Sequence, residues 1–502
     1  MIEINAHMSW IDFAIVGVYM LGMLAVGFFV YRKVPSFEEF FVAGRSMTTP
    51  ILICTLVSTY YGVDVLFGTS ELAYNDGVVA FFGYSQLSLA AYVFAAFALT
   101  KRLRKANFKS LPEILERNYG RGAGLLGALA SLTYSIPALG LFGLGRVCEV
   151  ILGFDARMGA LLVGGVALAY TLMGGLWAVA ITDTIQFVLM CLTLAFAVPL
   201  VMGKVGGFDA VAATAPPSFF EPFGSIPIWL VLAYGATGVS ILVDPGFYQR
   251  VFAARDFRQA RNALLIGLVV WGAYDWLVTA GGMFAVAAVN SGLLPVHVHP
   301  NDVLLNLVTL SLPVGLTGIF LAGVLATEMS TIDSYTLVAG GNLVYDIYRP
   351  LVEPDASDAT LVRLTKFGIC LSWVLGYGLA FAFERLLALW VFMSSLLVSV
   401  VMVPILMSLF WKGRKKPLAG LLSGLFGLSG VLLYYGALQM FGAANARYGT
   451  YILDFTVGGV AVSLWQEYAI FFTLPLSLLG FCVGNWLGRA TQPRGAREEV
   501  EA

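Results

Sequence analysis

Long apolar runs recur along most of this 502-residue chain, and they leave few folds open to it. Inside hydrocarbon every backbone N–H and C=O must be satisfied by the segment itself, so an apolar run of about 20 residues is a helix. Composition agrees: 59% of residues are hydrophobic and 12% charged, against about 25% charged in soluble domains. Mean hydropathy is +0.84. A net charge of −1 offers no basic surface, so nucleic acid is not an expected partner. The expectation is an all-α polytopic membrane protein with the lipid bilayer as its solvent.

Charge and turn residues divide the chain into about thirteen transmembrane helices, near 10–31, 47–74, 78–99, 122–150, 158–176, 180–203, 226–249, 262–290, 313–345, 365–383, 385–411, 418–440 and 467–488. An odd number places the termini on opposite sides. With the N-terminus outside, all of the 29 Lys and Arg except Arg146, Arg157, Lys204, Arg385 and Arg447 fall at cytoplasmic loops. "KRLRKANFK", "RVFAARDFRQAR" and "KGRKK" lead that asymmetry. We therefore expect a multi-pass inner or plasma membrane protein with a cytoplasmic C-terminus. The first run reads as a retained helix and not a cleaved leader, and the tail 489–502 as disordered.

Several chemistries find no support. There is no Gly-x-Ser-x-Gly, no His-Glu-x-x-His and no nucleotide-binding loop, so an enzyme is not expected. Cys54, Cys148, Cys191, Cys370 and Cys482 are scattered through apolar segments and read as structural thiols. His297 and His299 fall in a loop and receive no role. No obligatory protein partner is evident. Work on a solute would draw on an ion gradient.

Two spans carry polar interruptions. Ser58, Thr59, Tyr60, Tyr61, Gly62 and Asp64 form an island in the second, and Gly235, Gly238 and Asp244-Pro245-Gly246 interrupt the seventh. Spans five apart that break in this way suit the two halves of a five-plus-five repeat, whose sites lie where helices unwind. A third feature is "ATEMSTIDS" (326–334) inside an otherwise apolar run. On a helix Thr327, Ser330, Thr331 and Ser334 share a stripe about 100° wide, flanked by Glu328 and Asp333. Hydroxyl and carbonyl oxygens suit a dehydrated hard cation. Hydroxyls bonded back to their own helix are the competing reading.

"FFVAGRSMTTP" (40–50), "YTLMGGLWAVAITDTIQ" (170–186), "YQRVFAARDFRQAR" (248–261), "MSTIDS" with "DIYRP" (329–350) and "LFWKGRKKPLAGLLSG" (409–424) resemble, in order, the sodium:solute symporter family. The resemblance implies a ten-helix inverted-repeat core over 47–411, broken at its first and sixth helices. A peripheral N-terminal part, 1–46, would precede it and two peripheral helices, 412–488, would follow. It also implies Na+ as the coupling ion. The main sodium site would use the carbonyls of Ser58 and Tyr61 with Thr327, Ser330 and Thr331; a second would use Asp183, Asp333 and Ser334 with Ser330. Solute contacts would come from Tyr60, Gly62, Val63, Asp64, Val65 and Tyr234.

Val65 replaces the glutamine that contacts sugar in sugar-transporting members, and Asp64 the tryptophan of proline-transporting ones. Glu328 stands where a small apolar residue is usual, and Thr327 where alanine is. The expected function is sodium-coupled symport of a small organic solute by alternating access, with an amino acid or another amine-bearing compound as the candidate solute. Asp64, aided by Tyr60, Tyr61, Tyr74, Tyr234 and either Trp271 or Tyr274, would hold the amine. Proton coupling through Asp64, Asp183, Asp275, Glu328 or Asp333, and solute sensing without transport, are the alternatives.

Overall fold

The computed structural model describes residues 8–30, 36–224, 226–382, 386–444 and 451–488; at residues 63, 64, 237, 386–388, 390, 457 and 460 it describes the backbone alone. The spans are α1 (Trp10–Val30), the pair α2 (Thr49–Tyr60) and α3 (Val63–Asp76), α4 (Ala80–Lys105), and the pair α5 (Arg121–Ser135) and α6 (Ala138–Val147). They continue with α7 (Ala156–Val205), the pair α8 (Ile228–Thr237) and α9 (Pro245–Ala253), α10 (Phe257–Asn290), α11 (Leu316–Gly341) and α12 (Asp358–Ala380). The last are α13 (Leu386–Phe410), α14 (Pro417–Phe441) and α15 (Ala469–Leu487).

Among the described residues ten helices are long and apolar enough to cross a membrane, or twelve if each bent pair is one span. The expected thirteen is reached only by counting α7 as two. That helix runs 50 residues but leaves helical geometry at Gly175 (φ 55°, ψ −142°). A Cβ there would sit 2.3 Å from the Phe40 carbonyl oxygen, so the backbones meet where only glycine fits. The boundary expected between spans 158–176 and 180–203 falls beside this residue.

The breaks have local causes. α2 stops at Tyr60, Tyr61 leaves helical geometry (φ −103°, ψ 69°), Gly62 is extended, and α3 leaves at 57° to α2. In the seventh span a 3₁₀ segment, Gly238–Val243, precedes Asp244, whose carboxylate caps α9 by accepting from Phe247 N at 2.7 Å. Pro245 then occupies the first helical position. A further break, between α5 and α6 at Ile136–Pro137, was not expected from sequence.

α11 is the buried axis, packed on α7, α2 and α12. Its N-terminus is held by α1: fully buried Asp12 accepts from Gly315 N at 2.8 Å and Gly318 N at 2.7 Å. That satisfies free donors at the helix start. α14 and α15 pair with each other along their length. Between them lies an antiparallel hairpin, Tyr451–Val457 with Val460–Trp465, turned at Gly458-Gly459 and unanticipated above.

Candidate functional site

Where α2 ends, its last carbonyls lose their i+4 donors, Ser58 O keeping only a long bond from Tyr61 N at 3.3 Å. α11 supplies replacements. Ser330 Oγ donates to Ser58 O at 3.0 Å, and Thr331 Oγ1 to Thr59 O at 3.1 Å. Both hydroxyls also lie close to Thr327 O, at 2.9 and 3.2 Å. Thr327 Oγ1 instead turns back to Gly323 O at 2.8 Å. The stripe is thus divided: Thr327 serves its own helix, Ser330 and Thr331 face the break, and Ser334 turns to Asp333 and Arg250. Together the oxygens at the break form a cluster without a titratable group, suited to a small monovalent cation.

A second cluster lies beside the first, along α2 and α11. Asp333 accepts from Tyr170 at 2.6 Å and Ser334 at 3.0 Å, while Asp183 accepts from Thr55. Between the acids sits Arg250 of α9, with no solvent exposure. Its guanidinium donates to Thr59 at 2.9 Å and Thr55 at 3.3 Å, donates to Ser334, and lies 3.7 Å from Asp183. Asp183 pairs with this buried cation directly, while Asp333 is linked to it through Ser334, which both contact. Removing the cation would leave the acids uncompensated in low dielectric.

On the other side of the α2–α3 break is a cavity. Tyr60, Tyr61, Gly62 and Val65 form its floor with Thr331 and Glu328 of α11. Tyr60, Tyr92 and Trp271 meet edge to face, with centroids 4.9–6.0 Å apart. Asp244 fixes two of the lining tyrosines, accepting from Tyr60 at 2.5 Å and Tyr335 at 2.8 Å. Tyr84 and Ser85 come from a π-helical turn of α4, and Ser85 donates to Asp275 of α10. The unexpected α5–α6 break brings Ile136, Pro137 and Gly140 to the wall. A Cβ at Gly140 would fall 2.2 Å from Glu328 Oε1, so α6 passes close to this carboxylate and a side chain there would displace it.

The sodium:solute symporter family model matches residues 40–427. The chain belongs to the sodium:solute symporter family. Relatives of this symporter include the high-affinity proline transporter PutP of Bacillus subtilis, 26% identical over 80% of this chain and 88% of the relative. Another is the high-affinity choline transporter 1 of Caenorhabditis elegans, 27% identical over 83% and 76%. Among solved structures, a substrate-bound, outward-open Na+-coupled sialic acid symporter superposes with a TM-score of 0.79 at 16% identity, covering 96% of this chain and all of that one. The nucleobase-cation-symport-1 transporter Mhp1 follows at 0.52 and 11% identity, covering 89% and 94%. The fold is therefore the inverted-repeat transporter core with broken first and sixth helices. The family and its relatives are transporters, not enzymes, and support Na+ as coupling ion for a small solute.

Within this symporter, Ser330 meets Ser58 O, Thr331 meets Thr59 O in place of an expected carbonyl, and Tyr61 lies at the same break. Asp183, Asp333 and Ser334 also come together. Tyr60, Gly62 and Val65 line the cavity; the side chains of Val63 and Asp64 lie outside the described residues. Tyr234 is not at the cavity. It is buried behind it, edge to face with Tyr84 at 5.5 Å, in a satellite cluster with Val79, Leu230 and Val231. Sequence reasoning missed Arg250, which it had counted among cytoplasmic loop cations. It also missed the bond from Asp244 to two tyrosines, though Asp-Pro-Gly had marked the break.

Proposed function

We propose that this symporter couples the inward movement of Na+ to uptake of a small amine-bearing solute, by alternating access across the plasma or inner membrane. The carrying observation is that the Ser330 and Thr331 hydroxyls address the carbonyls freed at the end of α2, directly beside a cavity lined by rings and acids. Sodium binding there would tie α2 to α11 and favour closure over the solute. The core 47–411 would do this work, with 1–46 and 412–488 peripheral to it. One charge moving through −100 mV contributes about 2.3 kcal/mol, and a tenfold sodium gradient about 1.4 kcal/mol. Together they sustain a solute gradient of roughly several hundred-fold.

Two buried acids beside a single guanidinium, which pairs with Asp183 at 3.7 Å, support a second sodium at Asp183, Asp333 and Ser334. A Hill slope near two for Na+ in solute uptake is the expected result, and a slope of one removes that ion. The primary test compares the melting temperature of detergent-purified protein in NaCl and in equal KCl. Stabilisation specific to sodium is expected. Indifference to sodium, with uptake driven by a pH gradient in sodium-free vesicles, would replace the reading with proton coupling through the cavity acids. Solute binding without flux would replace it with sensing.

A further inference from the structure

The cavity beside the α2–α3 break is one-sided in charge. Asp275 and Glu328 line it, buried to 5% and 1% exposure, and no Lys, Arg or His is among its described lining residues. A solute carboxylate placed there would face two like charges. The start of α3 at Gly62 offers in return only about half a positive charge. An ammonium is the complementary group, and three aromatic rings, Tyr60, Tyr92 and Trp271, line the cavity, packed edge to face on one another; aromatic rings attract such a cation. The Trp271 indole N–H is buried and has no acceptor. A buried donor of this kind calls for an acceptor from the ligand.

We propose that the transported solute is a small organic monocation, an ammonium compound without a carboxylate but with an acceptor oxygen, and that Glu328 is its counter-ion. This rests on the symport reading and narrows its solute class. It also gives Glu328 a role: it stands on α11 three residues before Thr331, so one helix would carry both the solute's counter-charge and a sodium ligand.

Three probes of matched shape test it by thermal shift of the purified protein in NaCl: choline, glycine betaine, which adds a carboxylate, and 3,3-dimethylbutan-1-ol, which removes the charge. Choline is expected to stabilise, and the other two to need concentrations at least about tenfold higher for the same shift. Glu328→Gln should lose the choline response and Glu328→Asp should retain it; the sodium-induced shift reports that each variant is folded. Glycine betaine or the alcohol equalling choline would overturn the proposal, as would a full choline response in Glu328→Gln. No choline response in a protein that sodium stabilises would overturn it too. Failure of sodium itself to stabilise the unliganded protein is a separate outcome, and overturns the symport reading beneath it.

Discussion

Thr331 and Thr327 are both threonines on one face of one helix, yet the structure assigns them different work. Thr331 bridges to another helix, whereas Thr327 bonds within its own. Thr331→Ala is expected to weaken sodium binding about tenfold or more, roughly 1.4 kcal/mol, read as loss of the sodium-specific melting shift. Thr327→Ala should leave most of that shift in place. Asp244 makes a second residue-scale prediction. Asp244→Ala removes a helix cap worth about 1 kcal/mol and the acceptor of two tyrosines. The expected outcome is a lower melting temperature and weaker solute binding, with Asp244→Asn milder on both. The hydroxyl stripe was legible because helical periodicity depends only on local sequence. Arg250 was not: its partners Asp183, Thr59 and Ser334 come from distant segments, and hydropathy ends a span at the first cation it meets.

At the scale of elements, breaks were legible where polar residues or glycine interrupted the apolar run, as at Tyr61-Gly62 and Asp244-Pro245. Pro137 was equally visible. Apolar residues continue on both sides of it, however, and composition alone cannot distinguish a break from a kink. The hairpin between α14 and α15 escaped for another reason: attention to long apolar periods passes over short strands. Gly175 gives the sharpest element-scale prediction. Gly175→Ala would force a Cβ onto the Phe40 carbonyl at φ 55°, while Gly165→Ala, on the same helix, meets nothing within 4 Å. The first should lower the melting temperature by several degrees and the second leave it nearly unchanged, measured side by side in detergent.

For the whole molecule, the solute's charge has an electrical signature. If one sodium enters with a monocation, two elementary charges cross per solute, and the membrane potential contributes about 4.6 kcal/mol per 100 mV, twice the value for a zwitterion. Simultaneous current and radiolabelled choline flux in voltage-clamped proteoliposomes should give a charge-to-flux ratio of two, rising to three if the Asp183–Asp333 cluster also carries an ion. Orientation is tested separately. A fluorescent protein that matures only in the cytoplasm should light up on the C-terminus and stay dark on the N-terminus.

The burial of α11 bears on how such a chain is made. The span that begins with this helix is the least apolar of the candidate spans, and 83% of its most apolar stretch is shielded from lipid in the finished protein. A translocon that partitions segments one at a time by their affinity for hydrocarbon meets here a helix carrying Glu328 and Asp333, each costly at the bilayer centre. During synthesis, this segment depends on helices that have already arrived. Asp12, on the first of the described helices, precedes α11 in the chain and is the group that accepts from its N-terminal N–H groups in the folded protein.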